Sequence, residues 1–118
     1  HSPIVLDFEV AHTGNPVFDL AFVSAHLLCK TLRTQSEAEK DALATTALNF
    51  LNSYRQTSRI SIAKSLPLHV ALIALARVEG VSPVNYLDEP AQQRLVATTK
   101  SALLDSTMTF EQLFEGAK

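Results

Sequence analysis

Two carboxylates separated by one residue, Asp7 and Glu9, follow directly on three apolar, mostly β-branched residues, Ile4, Val5 and Leu6. Read as a strand from Pro3 to about Glu9, this stretch alternates its side chains between two faces. Asp7 and Glu9 then share a face, about 7 Å apart, and Phe8 points the other way into apolar packing. Carboxylates so placed can hold one hard cation or bridge two, because Mg²⁺ takes oxygen ligands and keeps several of its waters. The same pattern also arises wherever a strand simply leaves the core for water, so the pair by itself leaves both readings open.

The residues that follow must position any such site. Gly14-Asn15-Pro16 is turn chemistry: Gly14 is free to take positive φ, Asn15 suits the N-cap of a helix and Pro16 its first position. Asp19 then falls in the first helical turn, where the dipole favours negative charge and unpaired amides look back toward the strand end. His12 lies in the connecting loop, either solvated or assisting the binding of substrate or metal.

These residues resemble a family. Val5-Leu6-Asp7-Phe8-Glu9, then Gly14-Asn15-Pro16 and Phe18-Asp19-Leu20-Ala21, are similar to the metal-binding segment of the aminoglycoside phosphotransferase and choline kinase superfamily, the small-molecule branch of the protein-kinase-like fold. Leu75-Ala76-Arg77-Val78-Glu79-Gly80-Val81-Ser82-Pro83-Val84-Asn85-Tyr86-Leu87 resembles a stretch near the C-terminus of many members. The two segments stand in the family's order.

The resemblance implies an enzyme, a kinase that moves the γ-phosphate of ATP or GTP to a hydroxyl of a small polar molecule, with Mg²⁺ as cofactor. It implies that Asp7 is a Mg²⁺ ligand, that Glu9 assists as a second ligand, directly or through water, and that Asp19 supports the catalytic loop by accepting hydrogen bonds. It also implies a nucleotide-binding lobe with a phosphate-positioning Lys, and a His-Gly-Asp catalytic loop with a nearby Asn. All of these would precede His1. Residues 1–118 are accordingly expected to form a single domain, the C-terminal helical part of the kinase, with the catalytic base outside the chain. A beginning at His1, without Met and inside a strand, fits a piece of a longer protein.

Composition sets the outer bounds. The chain has 118 residues, 47% hydrophobic and 19% charged, with a net charge of −2, which suffices for one domain with a core. Its 10 basic residues are scattered, which argues against nucleic acid or an anionic membrane surface as the main partner, since both select a basic patch. The single cysteine, Cys29, has no intramolecular disulfide partner and sits among apolar residues, as a buried thiol does; a reducing, cytoplasmic setting is expected. No apolar run reaches the length of a membrane span.

The fold class expected is mainly α, one N-terminal strand followed by a helical bundle. The first helix, Pro16 to about Leu32, is apolar almost all round and so is expected to be buried. His26 and Cys29, three apart on it, read as packing residues rather than a metal pair. Ser36 and Glu39 match a capping box opening a second helix, with Leu43, Ala47, Phe50, Leu51 and Tyr54 inward and Lys40, Asp41, Asn49, Asn52 and Arg55 on a solvated face. Residues 58–65 are basic, with a short helical turn expected, and Pro67 restarts a core helix that Gly80 ends. His69 and Arg77 are its polar exceptions and lie near one face. Asp88 and Pro90 open the next helix, with Leu95, Val96, Thr99 and Leu103 inward; Thr109 and Gln112 form a second capping box before a short last helix from Phe110 to Glu115.

A lone strand needs a partner. The missing N-terminal part of the same kinase, or a second copy of the chain, is expected to pair with Ile4 to Leu6. Two other classes compete: a non-catalytic helical interaction module in which Asp7 and Glu9 are merely solvated, and a Mg²⁺ nuclease of the ribonuclease H type, whose fold demands more strands than the sequence offers.

Overall fold

Local capping chemistry fixes where the helices begin. In the computed structural model, which describes residues 2–7, 9 and 11–118, the Asn15 side chain accepts a hydrogen bond from the Val17 amide at 3.0 Å. Pro16 already has helical φ and ψ, so Asn15 is the functional cap and Pro16 the first turn of α1 (Val17–Arg33). Ser36 caps α2 (Glu37–Thr57) by accepting from the Glu39 amide at 3.3 Å. The Glu39 carboxylate does not reach back to the Ser36 amide. It accepts from the Thr34 hydroxyl, which in turn accepts from that amide, so the box closes through Thr34.

Residues 58–65 form no helix, only a turn at 64–65. After them Pro67 stands in the first turn of α3 (Leu66–Glu79). Asp88 caps α4 (Glu89–Leu104), accepting from Ala91 at 2.9 Å. Thr109 and Gln112 make a full reciprocal capping box at α5 (Phe110–Ala117).

α1 is the hub. It packs against α2, α3, α4 and α5, and its interface with α3 is the most extensive in the bundle. Ala21 and Ala25 on α1 and Ala71 and Ala74 on α3 are fully buried, small side chains that let two helix axes come close. Leu20, Leu28, Cys29 and Leu32 join Leu51, Val70, Leu95, Leu113 and Phe114 in one core. No helix among the described residues is long and apolar enough to cross a membrane.

The described residues of the expected strand from Pro3 to Glu9, 3–7 and 9, form no strand, and no strand occurs elsewhere among the described residues. Asp7 has a φ of 60°, in the left-handed region, which breaks the β alternation that would have put Asp7 and Glu9 on one face. No backbone hydrogen bond joins residues 2–7 to another described residue. Without a ladder partner, Ile4 is 84% exposed, with Val5 and Leu6 nearly as open. The inward packing expected of Phe8 lies outside the described residues.

Two further expectations are corrected. α1 is not buried all round: Phe18, at 51% exposure, together with Phe22 and Val23 faces outward. Lys40 is not on a solvated face. Only 5% exposed, it is covered where α5 ends against α2, and its Nζ donates to Glu37 at 2.7 Å and to the Lys118 carbonyl at 2.9 Å.

Candidate functional site

Just before α1 the chain folds around a cleft of about 380 Å³, lined by Asp7, Ala11, His12, Gly14, Asn15, Pro16, Phe18 and Asp19. The Asn15 cap holds the first turn of α1, and that turn carries Asp19 to one wall. Asp7 reaches the same cleft from the N-terminal segment through its left-handed backbone, a conformation that Asp adopts more readily than most residues. Neither carboxylate makes a hydrogen bond or ion pair with a described residue, so the oxygens of both are available to a ligand.

Glu9 is exposed and is not among the lining residues, so the pair brought together is Asp7 with Asp19 rather than Asp7 with Glu9. Gly14 does not take positive φ. It gives room instead: a Cβ added there would stand 3.4 Å from His12 Nε2, in ordinary contact with the ring that lines the cleft. Oxygen donors of this kind suit a hard cation that keeps part of its water shell. Among the described residues no group of three or more His, Cys, Asp or Glu side chains is placed to hold a metal ion.

The other polar candidates have structural tasks. Cys29 is fully buried, and burial pushes its thiol up to about 11, so it is a protonated packing group at neutral pH. His26 meets the Phe22 ring edge-on at 4.9 Å, and burial followed by the Arg77 and Lys30 charges holds its pKa below the ordinary value. His69 donates from Nδ1 to the Ser65 carbonyl at 2.8 Å, closing the first turn of α3.

Arg77 is different. Its Nε is buried without a partner among the described residues, as is the hydroxyl of Tyr86, which the sequence reading did not single out. Tyr86 falls within the stretch from Leu75 to Leu87, but its burial depends on how the loop after Gly80 folds back: the Val84 amide donates to the Arg77 carbonyl at 2.7 Å.

No family profile, characterised protein or solved structure gives a significant match to the chain.

Proposed function

We propose that this chain is the C-terminal helical part of a protein-kinase-like phosphotransferase, an enzyme that moves the γ-phosphate of ATP or GTP to a hydroxyl of a small polar substrate. One observation carries the reading: Asp7 and Asp19, each without a partner among the described residues, line one cleft at the start of the central helix, and Asp7 does so from a strained backbone of the kind found at functional sites. Mg²⁺ bound there would neutralise charge on the nucleotide phosphates. Asp7 supplies the ligand oxygens. Glu9, outside the cleft lining, assists through water. Asp19 presents an acceptor at the start of α1 for the amides of a catalytic loop. That loop, its base and the nucleotide lobe belong to sequence upstream of His1, and their packing against Ile4 to Leu6 and the outward face of α1 gives those apolar side chains cover.

The test is phosphoryl transfer from ATP and GTP to a panel of small alcohols, measured on the complete protein and on residues 1–118 alone. Transfer by the complete protein and none by the 118 residues is expected. Metal-dependent turnover by the 118 residues alone would overturn the placement of the base.

A second reading, a non-catalytic helical interaction module, is favoured by one observation: residues 2–7 have no regular structure, and Ile4, Val5 and Leu6 stand open to solvent as the tail of such a module would. It predicts binding of a partner through the apolar surface and indifference to the charge of Asp7.

A further inference from the structure

Three cations at one end of the bundle have no acidic partner among the described residues. Lys30 and Arg33 stand in the last turn of α1 and Arg77 in the last turn of α3, and none of them enters an ion pair among the described residues. The helix dipoles favour cations at these positions. They do not account for two buried polar atoms beside them, Arg77 Nε and the Tyr86 hydroxyl oxygen, which have no hydrogen-bond partner among the described residues. A buried donor left unmade is costly, so such atoms mark a place where something accepts.

The groups are close. The Arg33 guanidinium lies over the Tyr86 ring at 5.6 Å, and the loop bearing Tyr86 is tied to Arg77 through the Val84 amide. The Arg77 charge also bears on Tyr86, Cys29 and His26, and burial raises the Tyr86 phenol above its ordinary value, so it stays protonated at pH 7 and brings no negative charge of its own. Glu39 lines a hollow with Lys30 and Arg33, and its carboxylate accepts from the Thr34 hydroxyl.

We propose that Arg77, Arg33 and the Tyr86 hydroxyl, with Lys30 at the rim, bind a small oxyanion, the phosphate or carboxylate head of a metabolite. The site stands at the far end of α1 from the Asp7 and Asp19 cleft, about 21 Å from Asp19 at the rise of an α-helix. It is therefore a second site, independent of the phosphotransferase reading. The Arg77 Nε–H and the Tyr86 O–H donate to the anion, and Arg33 adds charge while its guanidinium stays on the ring.

The experiment titrates the protein with inorganic phosphate, and separately with acetate, at ionic strength held constant with chloride. Readouts are the Arg77 Nε–Hε resonance and the thermal midpoint. A saturable shift of that resonance with a rising midpoint is expected from at least one anion, and which one responds assigns phosphate or carboxylate as the head group. Tyr86→Phe keeps the ring under Arg33 and removes only the hydroxyl, and should weaken binding about tenfold. Arg77→Gln should abolish it. The proposal is overturned if neither anion gives a saturable response, as a single trapped water would produce, or if Tyr86→Phe and folded Arg77→Gln respond like the unaltered protein, as an adventitious ion only would produce.

Discussion

Lys40 and Lys118 are joined across the bundle: the Lys40 Nζ donates to the Lys118 carbonyl at 2.9 Å and closes the end of α5 against the start of α2. The same Nζ is paired with Glu37 at 2.7 Å, so a nearly buried ammonium has two charge-assisted contacts. Lys40→Met keeps the apolar stem but leaves the carbonyl without its donor. A loss of about 1–3 kcal/mol in urea unfolding is expected. Glu37→Gln, at an exposed partner, should cost under about 1 kcal/mol. Equal losses in the two variants would show that the carbonyl contact contributes nothing.

Gly80 and Gly14 should answer differently to alanine. A Cβ on Gly80 would stand 2.2 Å from the Ala76 carbonyl oxygen, a backbone atom that cannot step aside without opening the last turn of α3. Gly80→Ala is expected to destabilise by about 1–3 kcal/mol or more. Gly14→Ala meets only the His12 ring at ordinary contact distance and should change stability by less than about 1 kcal/mol. Denaturant midpoints of the two variants check the contrast; a neutral Gly80→Ala would contradict it.

Burial raises the Cys29 thiol from its ordinary value of 9.0 to about 11. Between these values the unfolded chain has lost the proton and the native chain still holds it, so the unfolded state binds fewer protons and stability falls as pH rises. The contribution is fully present below about pH 9 and is lost progressively toward pH 11. Tyr86 and Lys118 titrate in the same direction of the scale, so the measurement is the difference between the unaltered protein and Cys29→Ala. The unaltered protein should lose more stability than Cys29→Ala over this range. Parallel pH curves would mean that the thiol is not desolvated.

How much of this was legible depended on how local each cause was. Ser36, Asp88 and Thr109 cap their helices through contacts three residues away, and Asn15 does so two residues away, so their types and spacing suffice. The strand was not legible, because β structure needs a partner distant in sequence, and Ile4-Val5-Leu6 is apolar enough to suggest a strand whether or not one is there. Lys40 looks solvated until the end of α5 covers it. Apolar residues all round α1 suggested burial on every side, yet no described element covers Phe18 and Phe22. At the cleft, Asp7 and Asp19 were recognisable by type, but their meeting in one cleft, with Glu9 outside it, depends on the left-handed backbone at Asp7, which no residue pattern announces.

The central claim is that the Asp7 carboxylate holds the metal for phosphoryl transfer, and activity against Mg²⁺ concentration in the complete protein tests it most directly. Asn tolerates left-handed backbone as Asp does, so Asp7→Asn removes charge without removing the conformation. Its activity should fall about a hundredfold or more. Glu9→Gln should lose less and recover in part at high Mg²⁺ by mass action, while Asp19→Asn should lower activity with little change in Mg²⁺ dependence. If Asp7→Asn, folded by circular dichroism, keeps the activity and Mg²⁺ dependence of the unaltered protein, the cleft is not the phosphoryl-transfer metal site and its carboxylates are solvated groups.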